Sequence, residues 1–257
     1  MSWFPQTSAG SLVQLPLRRR IVWRAITNQF ENGERISLPD QNGGRVEWSL
    51  AYHDLSDAEA TAISNFFRTA RGAFGTFAFA DPGANLLGWS EDLSHADWQH
   101  GLLSVAGGVV GPDGTSNASS LTNTTTGAQG LTQTLALPGA YTTCFSAWLR
   151  AATPSNVTLR RGSAASVAGV SSRWKRYFLT GPVPGEDNTP FSLELTPGST
   201  VEVCGLQVEA GPYPSQYRPT ADASGIYERT SFASDELAVT ATGVGLYACE
   251  FTLISKL

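Results

Sequence analysis

The chain has 257 residues, of which 15 % are charged, with 26 glycines, 14 prolines and a formal net charge of −5. Soluble domains average about 25 % charged residues, so this composition favours many short strands joined by turns over ion-paired surface helices. The acidic balance argues against nucleic acid or an anionic membrane as the main partner, because both require a basic face. The sequence has no apolar run of about 20 residues that could cross a bilayer, and its first residues lack the pattern of a signal peptide.

The sequence contains three cysteines and no CxxC pair, so at least one thiol is free. Each lies in an apolar, strand-like run. We therefore expect buried thiols that pack as small hydrophobic side chains, at Cys144, Cys204 and Cys249. This usage fits folding in a reducing compartment.

Alternating patterns in residues 20–79 predict half-buried strands. RRRIVWRAI alternates charged and apolar residues. GRVEWSLAYHDL alternates apolar and polar residues, with one face formed by Val46, Trp48, Leu50 and Tyr52. Between these strands, FENGERISLPDQNGG supplies turn residues at Asn32-Gly33 and 42–44.

The clearest helix follows. Ser56 and Glu59 form an S-x-x-E capping box at its start, and Gly72 is expected to end it. Apolar residues recur on one helical face, at Ile63, Phe66, Phe67 and Ala70. The aromatic strand AFGTFAFADP comes next and ends at Pro82-Gly83.

From residue 84 to residue 220 the sequence is rich in Ser, Thr, Gly and Ala, and turn signals separate many short strand-like runs. The last residues return to the alternation of the first eighty. We therefore predict a mostly β protein. A split β-barrel or half-barrel domain with one short helix, residues 1–83 plus 221–257, is interrupted by an inserted antiparallel β-sandwich or jelly roll, residues 84–220.

The sequence has no G-x-S-x-G, H-E-x-x-H, P-loop or G-x-G-x-x-G motif. His95 and His100 are five residues apart with no cysteine to complete a zinc set, and His53 has no neighbouring ligand. Glu91 and Asp92 are adjacent, so in a strand they would point to opposite faces and could not act as an acid–base pair. We predict a protein that is not an enzyme and that needs no cofactor.

A structural calcium ion is left open by the sequence. β-Sandwich modules hold Ca²⁺ with loop carboxylates and backbone carbonyls, although no EF-hand pattern is present. The carboxylates available for such a site are Asp92, Asp97, Asp113 and Glu209.

Aromatic side chains are the remaining candidates for a binding function, because sugars stack their C–H faces on exposed rings. The candidate glycan-binding residues are Trp89, Trp174, Tyr177 and Tyr213. The competing interpretation is that these rings belong to the sandwich core. For Trp148 a core position is favoured, and for Trp98 a position as a plug in the core or at its rim.

Five motifs in chain order make the middle segment resemble the carbohydrate-binding-like jelly-roll modules of phage tail and spike proteins. The motifs are NLLGWSEDLSHADW (85–98), GPDGTSNASSLT (111–122), CFSAWLRA (144–151), RWKRYFLT (173–180) and CGLQVEAGPYPSQYRPT (204–220). The resemblance implies a β-sandwich that contacts host-surface polysaccharide.

The flanking segments resemble the half-barrel domain of the distal tail protein of siphophages and the minor tail protein M of lambda-like phages. The order is a basic strand (RRRIVWRAITNQFENG), an alternating strand, a helix, an aromatic strand and closing strands (IYERTSFASDELAVTATGVGLYACEFTLIS). This resemblance implies a virion subunit at the tail tip, made in the bacterial cytoplasm. Such subunits form a ring, usually a hexamer, that joins the tail tube protein to other tail-tip hub proteins.

Two alternatives remain at this point. One is a soluble glycan-binding protein in which the flanks are scaffold. The other is an enzyme such as a depolymerase, against which the missing carboxylate pair argues.

Overall fold

The computed structural model describes residues 2–40, 42–185, 187–222 and 224–257. This part of the chain contains one helix, α1 (Asp57–Ala70), and seventeen strands. The strands are β1 (Arg18–Val22), β2 (Ala25–Gln29), β3 (Arg35–Pro39), β4 (Arg45–Leu55), β5 (Phe77–Ala80), β6 (Ser104–Val109), β7 (Ala118–Thr122), β8 (Gln129–Leu135), β9 (Thr143–Arg150), β10 (Ser155–Arg161), β11 (Ala164–Val170), β12 (Lys175–Gly181), β13 (Thr189–Leu195), β14 (Thr200–Glu209), β15 (Ile226–Phe232), β16 (Val239–Gly243) and β17 (Leu246–Lys256).

The predicted fold class is confirmed: the protein is mostly β, with antiparallel sheets and one helix. The chain divides into two units. The outer unit comprises Met1–Phe79 and Ile226–Leu257, and the inserted unit comprises Ala80–Gly225. The inserted unit therefore begins four residues before the predicted boundary at residue 84 and ends five residues after the predicted boundary at residue 220.

The outer unit is built on one sheet with the strand order β1-β4-β17-β15-β5, and β16 pairs with β17. The alternation predicted for the second strand is confirmed, because β4 buries Val46, Trp48, Leu50 and Tyr52. Aromatic rings fill the core beneath it. Phe4 meets Phe66 of α1 edge to face at 5.5 Å, and Trp48 meets Phe79 at 5.0 Å.

The predicted capping box of α1 is present, because Ser56 and Glu59 exchange side-chain and backbone hydrogen bonds. The predicted end of the helix at Gly72 is confirmed. Arg71 is the C-cap, with φ of 56° in the left-handed region, and Gly72 follows it directly. Gly72 continues that conformation with φ of 61°, which glycine adopts at little cost.

The half-buried first strand predicted from RRRIVWRAI is wrong, because β1 is exposed except for its last residue. The turns predicted at Asn32-Gly33 and 42–44 are present: the Gly33 N–H donates to the Phe30 carbonyl and the Gly43 N–H to the Asp40 carbonyl, both at 2.9 Å. Between these turns lies β3, which pairs with β2. The sequence pattern did not reveal this strand, because burial sets alternation and β2 and β3 bury neither face. We call residues 25–39, the hairpin of β2 and β3, the arm.

The inserted unit is a sandwich of two antiparallel sheets. One has the strand order β11-β10-β13-β8 and the other β12-β9-β14-β7-β6. Phe145 of β9 and Phe191 of β13 are fully buried and meet across the two layers at 5.7 Å. Side chains alternate along β9, so Ser146, Trp148 and Arg150 lie on the face of the five-stranded sheet that points away from the other sheet. We call this the outer face.

Candidate functional site

The outer face of the five-stranded sheet is covered by residues 211–220, which we call the closing segment. Gln207 on β14 is fully buried and pairs with this segment twice. Its Oε1 accepts from the backbone N–H of Arg218 at 2.8 Å, and its Nε2 donates to the carbonyl of Gln216 at 3.3 Å. Two residues along the strand, the Glu209 carboxylate accepts the backbone N–H of Ser215 at 3.0 Å. The closing segment is thus fixed by side chains beneath it.

Arg176 joins three of the motifs on which the family resemblance rests. Its guanidinium donates to Ser146 Oγ at 2.9 Å and to the carbonyl of Ser215, and it lies 3.9 Å from the Glu209 carboxylate. Ser146, Arg176 and Glu209 come from FSAW, WKRY and QVEA respectively. These motif residues are therefore a buried polar scaffold and offer no open surface to a ligand.

Asn85, from the opening motif, has a similar structural role. It is 1 % exposed, and its amide donates to the carbonyls of Leu206 and Arg218 at 2.9 and 3.3 Å. Its oxygen accepts from the backbone N–H groups of Leu87 and Val208 at 3.1 and 3.0 Å. All four hydrogen-bonding positions of the amide are used, as a buried polar group requires.

Trp89, the first glycan-binding candidate, is stacked on His95. The two rings are 3.9 Å apart and inclined by 13°. Trp89 has φ of 51°, a conformation that bulky residues rarely adopt, and its carbonyl accepts the indole N–H of Trp98 at 3.0 Å. Trp98 is 2 % exposed, as expected for a plug. One face of the Trp89 ring is therefore already occupied.

Trp174 and Tyr177 are also engaged within the protein. The Arg150 guanidinium lies over the Trp174 ring, 4.7 Å from its centroid. The Tyr177 hydroxyl donates to the Gly169 carbonyl at 2.5 Å, which links β12 of one sheet to β11 of the other, and Lys175 Nζ lies 5.1 Å from the ring centroid. One face of the Trp174 ring is therefore occupied by Arg150, and the Tyr177 hydroxyl is engaged between the two sheets.

Tyr213 is the exposed member of the set, at 76 %. It lies in the closing segment, two residues before Ser215, which is hydrogen-bonded to Glu209 and Arg176. Among the ring contacts of the described residues, none joins two of the four aromatic candidates. The structure therefore does not gather Trp89, Trp174, Tyr177 and Tyr213 into one platform.

The four calcium candidates are likewise dispersed. Asp92 and Asp113 each close a local turn. The hydrogen bond from the Ser94 hydroxyl lowers the pKa of the Asp92 carboxyl, and the hydrogen bond from the Thr115 N–H lowers the pKa of the Asp113 carboxyl. Asp97 lies 3.6 Å from His95, and Glu209 is bound by Ser215. Within the described ranges no group of three His, Cys, Asp or Glu side chains is placed to hold a metal ion.

A polar cleft opens at one end of the sandwich, where three connections of the inserted unit meet. It has a volume of about 810 Å³. We call it the end cleft; its lining residues are Ala152, Thr153, Pro154, Ser155, Asn156, Gly169, Val170, Ser171, Thr196, Pro197, Gly198, Ser199, Thr200 and Glu202. Hydroxyl and amide side chains alternate there with apolar ones, so the walls offer both donors and acceptors.

Glu202 is the one carboxylate among the lining residues of the end cleft. It lies directly opposite Arg150 in the β14–β9 pairing, and its Oε2 is 2.5 Å from Arg150 Nε. Both side chains are 30 % exposed. Arg150 also lies over the Trp174 ring. There is therefore a continuous row of side chains that runs from Trp174 through Arg150 to Glu202 and ends at the cleft.

Sequence reasoning did not identify Glu202, Arg150 or the cleft. The lining residues come from separate parts of the chain, 152–156, 169–171 and 196–202, and no motif marks them. The pairing of β9 with β14 brings them together, and a sequence pattern does not reveal strand register.

No family model matches this sequence, and no curated protein matches it either. Among solved structures, this chain is similar to the C-terminal family 22 carbohydrate-binding module of Clostridium thermocellum Xyn10B, with 14 % identity over 52 % of this chain and 99 % of that chain, at a TM-score of 0.42. The tandem CBM22-1–CBM22-2 domain of Paenibacillus barcinonensis Xyn10C matches with 15 % identity over 65 % of this chain and 59 % of that chain, at a TM-score of 0.43. The enzymatically active domain of tailspike protein 4 from bacteriophage CBA120 matches with 16 % identity over 52 % of this chain and only 22 % of that chain, at a TM-score of 0.40.

In the described part of the chain, no helix has the length and apolar character needed to span a membrane.

Proposed function

We propose that the chain is a structural subunit of a phage tail tip that assembles into a ring through its outer unit, with the tail tube protein and other hub proteins as neighbours. In this proposal the inserted sandwich contacts polysaccharide on the host surface. The order of strands and helix in the outer unit, which resembles the tail-tip half-barrel, supports the first part, and the five motifs of the insert support the second.

The arm is the observation that carries the assembly proposal. Ile26 faces Leu38 across the hairpin, and Asn28 faces Ile36. These side chains therefore share one face, next to Phe30 in the turn. Among the described strands, β2 and β3 pair only with each other. A two-stranded hairpin is marginally stable alone in water, so an arm of this kind needs a surface to lie on.

The two faces of the arm differ in chemistry. The apolar face carries Ile26, Phe30, Ile36 and Leu38, all between 49 % and 57 % exposed. On the opposite face, Thr27 Oγ1 and Ser37 Oγ are 3.2 Å apart, and Arg35 donates to Thr27. Burying the exposed part of the four apolar side chains would contribute about 1 kcal/mol each. Repeated around a closed ring, head-to-tail contacts of this size add up to a stable assembly.

Mass measurement of the purified full chain tests this proposal. Light scattering over a range of concentrations should give a discrete oligomer, with six copies as the number that the family resemblance implies, and negative-stain images should show a closed ring. A chain that stays monomeric at every concentration, together with particle images that lack a ring at the tail tip, would contradict it.

The end cleft favours a second candidate function. A soluble glycan-binding protein without a virion role would bind sugar as a monomer. Oligomerisation therefore separates the two proposals, because sugar binding is expected of both. In a ring, several copies of a millimolar sugar site would act together and bind a polysaccharide surface with much higher avidity.

A further inference from the structure

We infer that the end cleft is a glycan-binding subsite for a short run of neutral sugar residues. The inference rests on the glycan-contacting part of the proposed function and places that contact in a cleft whose lining residues include none of the four aromatic candidates. The cleft volume of about 810 Å³ lies within the roughly 300–1,000 Å³ typical of small-molecule sites.

The lining suits a ligand that carries many hydroxyl groups. Ser155, Asn156, Ser171 and Thr200 bring hydroxyl and amide groups to walls formed by several strands and turns. The Ser155 hydroxyl already donates to the Thr153 carbonyl at 3.0 Å, and Thr200 Oγ1 lies 3.1 Å from Thr122 Oγ1. Because a hydroxyl oxygen has two lone pairs, both keep acceptor capacity for sugar hydroxyls. Pro154, Val170 and Pro197 supply apolar surface between them, against which the C–H faces of a sugar ring can pack.

Glu202 supplies the strong acceptor in this arrangement. Its cross-strand pairing with Arg150 and the position of Arg150 over Trp174 fix the carboxylate at the rim of the cleft. Hydrogen bonds from hydroxyl groups to an ionised carboxylate are stronger than those between neutral groups. A carboxylate held in place can therefore accept from two adjacent sugar hydroxyls without first losing side-chain freedom.

The charge of the cleft selects against acidic sugars. Its lining includes Glu202 and no lysine or arginine, and Arg150 is already paired with Glu202. A uronic acid would bring a second carboxylate toward Glu202 without a free cation to balance it, and close like charges repel. The ligand class is therefore a neutral oligosaccharide.

The first test is calorimetric titration of the full chain with cellohexaose, maltohexaose and chitohexaose as neutral probes and hexagalacturonate as the acidic probe. At least one neutral probe should bind in the millimolar range or tighter, at least tenfold more strongly than the acidic probe. Binding of none of the neutral probes, or preferred binding of the acidic probe, would overturn the inference.

A substitution that adds a bulky side chain at the end cleft tests whether the sugar binds there. Gly169 lines the cleft, has no atom within 4 Å of an added Cβ and does not need a positive φ, so Gly169→Phe adds a bulky side chain at the wall of the cleft with room for its Cβ. Gly107 on β6 is equally open and lies outside the cleft, which makes Gly107→Phe the matched control. Sugar binding should be lost in Gly169→Phe and kept in Gly107→Phe.

A second pair of variants tests the carboxylate. Glu202 and Glu194 each pair with an arginine at 2.5 Å, but only Glu202 lines the cleft. Glu202→Gln should weaken sugar binding at least tenfold, whereas Glu194→Gln should change it less than twofold. Sugar binding that survives in both Gly169→Phe and Glu202→Gln would place the site elsewhere and overturn this inference, while glycan contact by the insert would still stand. Ring formation, measured separately by light scattering, reports on the rest of the proposed function.

Discussion

The side-chain oxygen of Asn85 accepts a hydrogen bond of 3.0 Å from the backbone N–H of Val208, 123 residues later in the chain. This contact joins the beginning of the inserted unit to the end of β14. Close by, the Asp81 N–H donates to the Gly225 carbonyl and the Gly225 N–H donates to the Asn85 carbonyl. The two ends of the insert are therefore tied to each other within the insert itself.

Asn85→Ala should destabilise the inserted unit by about 2–4 kcal/mol, because it leaves buried N–H and C=O groups without partners. Urea unfolding followed by tryptophan fluorescence measures the loss. Asn188→Ala, at an exposed bend of the same unit, is the matched control and should change stability by less than about 0.5 kcal/mol. Equal stability of the two variants would show that the Asn85 contacts do not hold the insert together.

The capping box of α1 should make the outer unit sensitive to acid. Hydrogen bonds from the Ser56 hydroxyl and N–H, then from the Ser8 hydroxyl and N–H, lower the pKa of Glu59 from 4.5 to about 2. Since the folded pKa is depressed, this stabilisation is fully present above pH 4.5 and is lost as the pH falls from 4.5 toward 2.

Glu59→Gln tests that dependence. Above pH 5 the variant should be less stable than the parent chain by about 1 kcal/mol, a value reduced for solvent screening of a partly exposed group. The difference should shrink toward zero near pH 2. Glu228→Gln, at an exposed position on β15, serves as the control. A stability difference for Glu59→Gln that does not change between pH 6 and pH 2 would rule out this role of the carboxylate.

The three thiols should be unreactive in the folded protein. Burial raises the pKa of Cys144 to about 12, with a further contribution from the charge of Glu209, and burial raises the pKa of Cys204 and Cys249 to about 11. At pH 8 only about one thiol in a thousand or fewer would be ionised, and the thiolate is the reactive form. A thiol-specific reagent should label none of the three within minutes at pH 8 and all three in denaturant. Fast labelling of even one cysteine in the native chain would contradict the buried placement.

Sequence patterns predicted the features that depend on neighbouring residues. The Ser56–Glu59 capping box lies within four residues, and the alternation of β4 lies within one strand, so each could be recognised locally. Side-chain environment could not be predicted in the same way. The sequence makes Trp174 a candidate sugar platform and does not reveal that Arg150 from the neighbouring strand lies over its ring, because that contact depends on strand pairing. The Asn32-Gly33 turn of the arm could be predicted, but the strand β3 that follows it could not, because β2 and β3 are exposed on both faces and show no burial pattern.

Several residues of the motifs that carry the resemblance make contacts within the fold. Ser146, Arg176, Gln207 and Glu209 are engaged beneath or against the closing segment. The end cleft, which carries the glycan inference, is lined by serines, threonines and prolines that no motif contains. In the sequence, these lining residues look like ordinary loop positions.

The assembly proposal is tested most directly by a pair of substitutions in the arm. Ile36→Asp places a charge on the apolar face, and Ser37→Asp places the same charge on the polar face of the same strand. The mass of each purified variant is measured by light scattering at equal concentrations, beside the parent chain. The account predicts a ring for the parent chain and for Ser37→Asp, and a monomer for Ile36→Asp. Rings of equal mass and stability from both variants would contradict it.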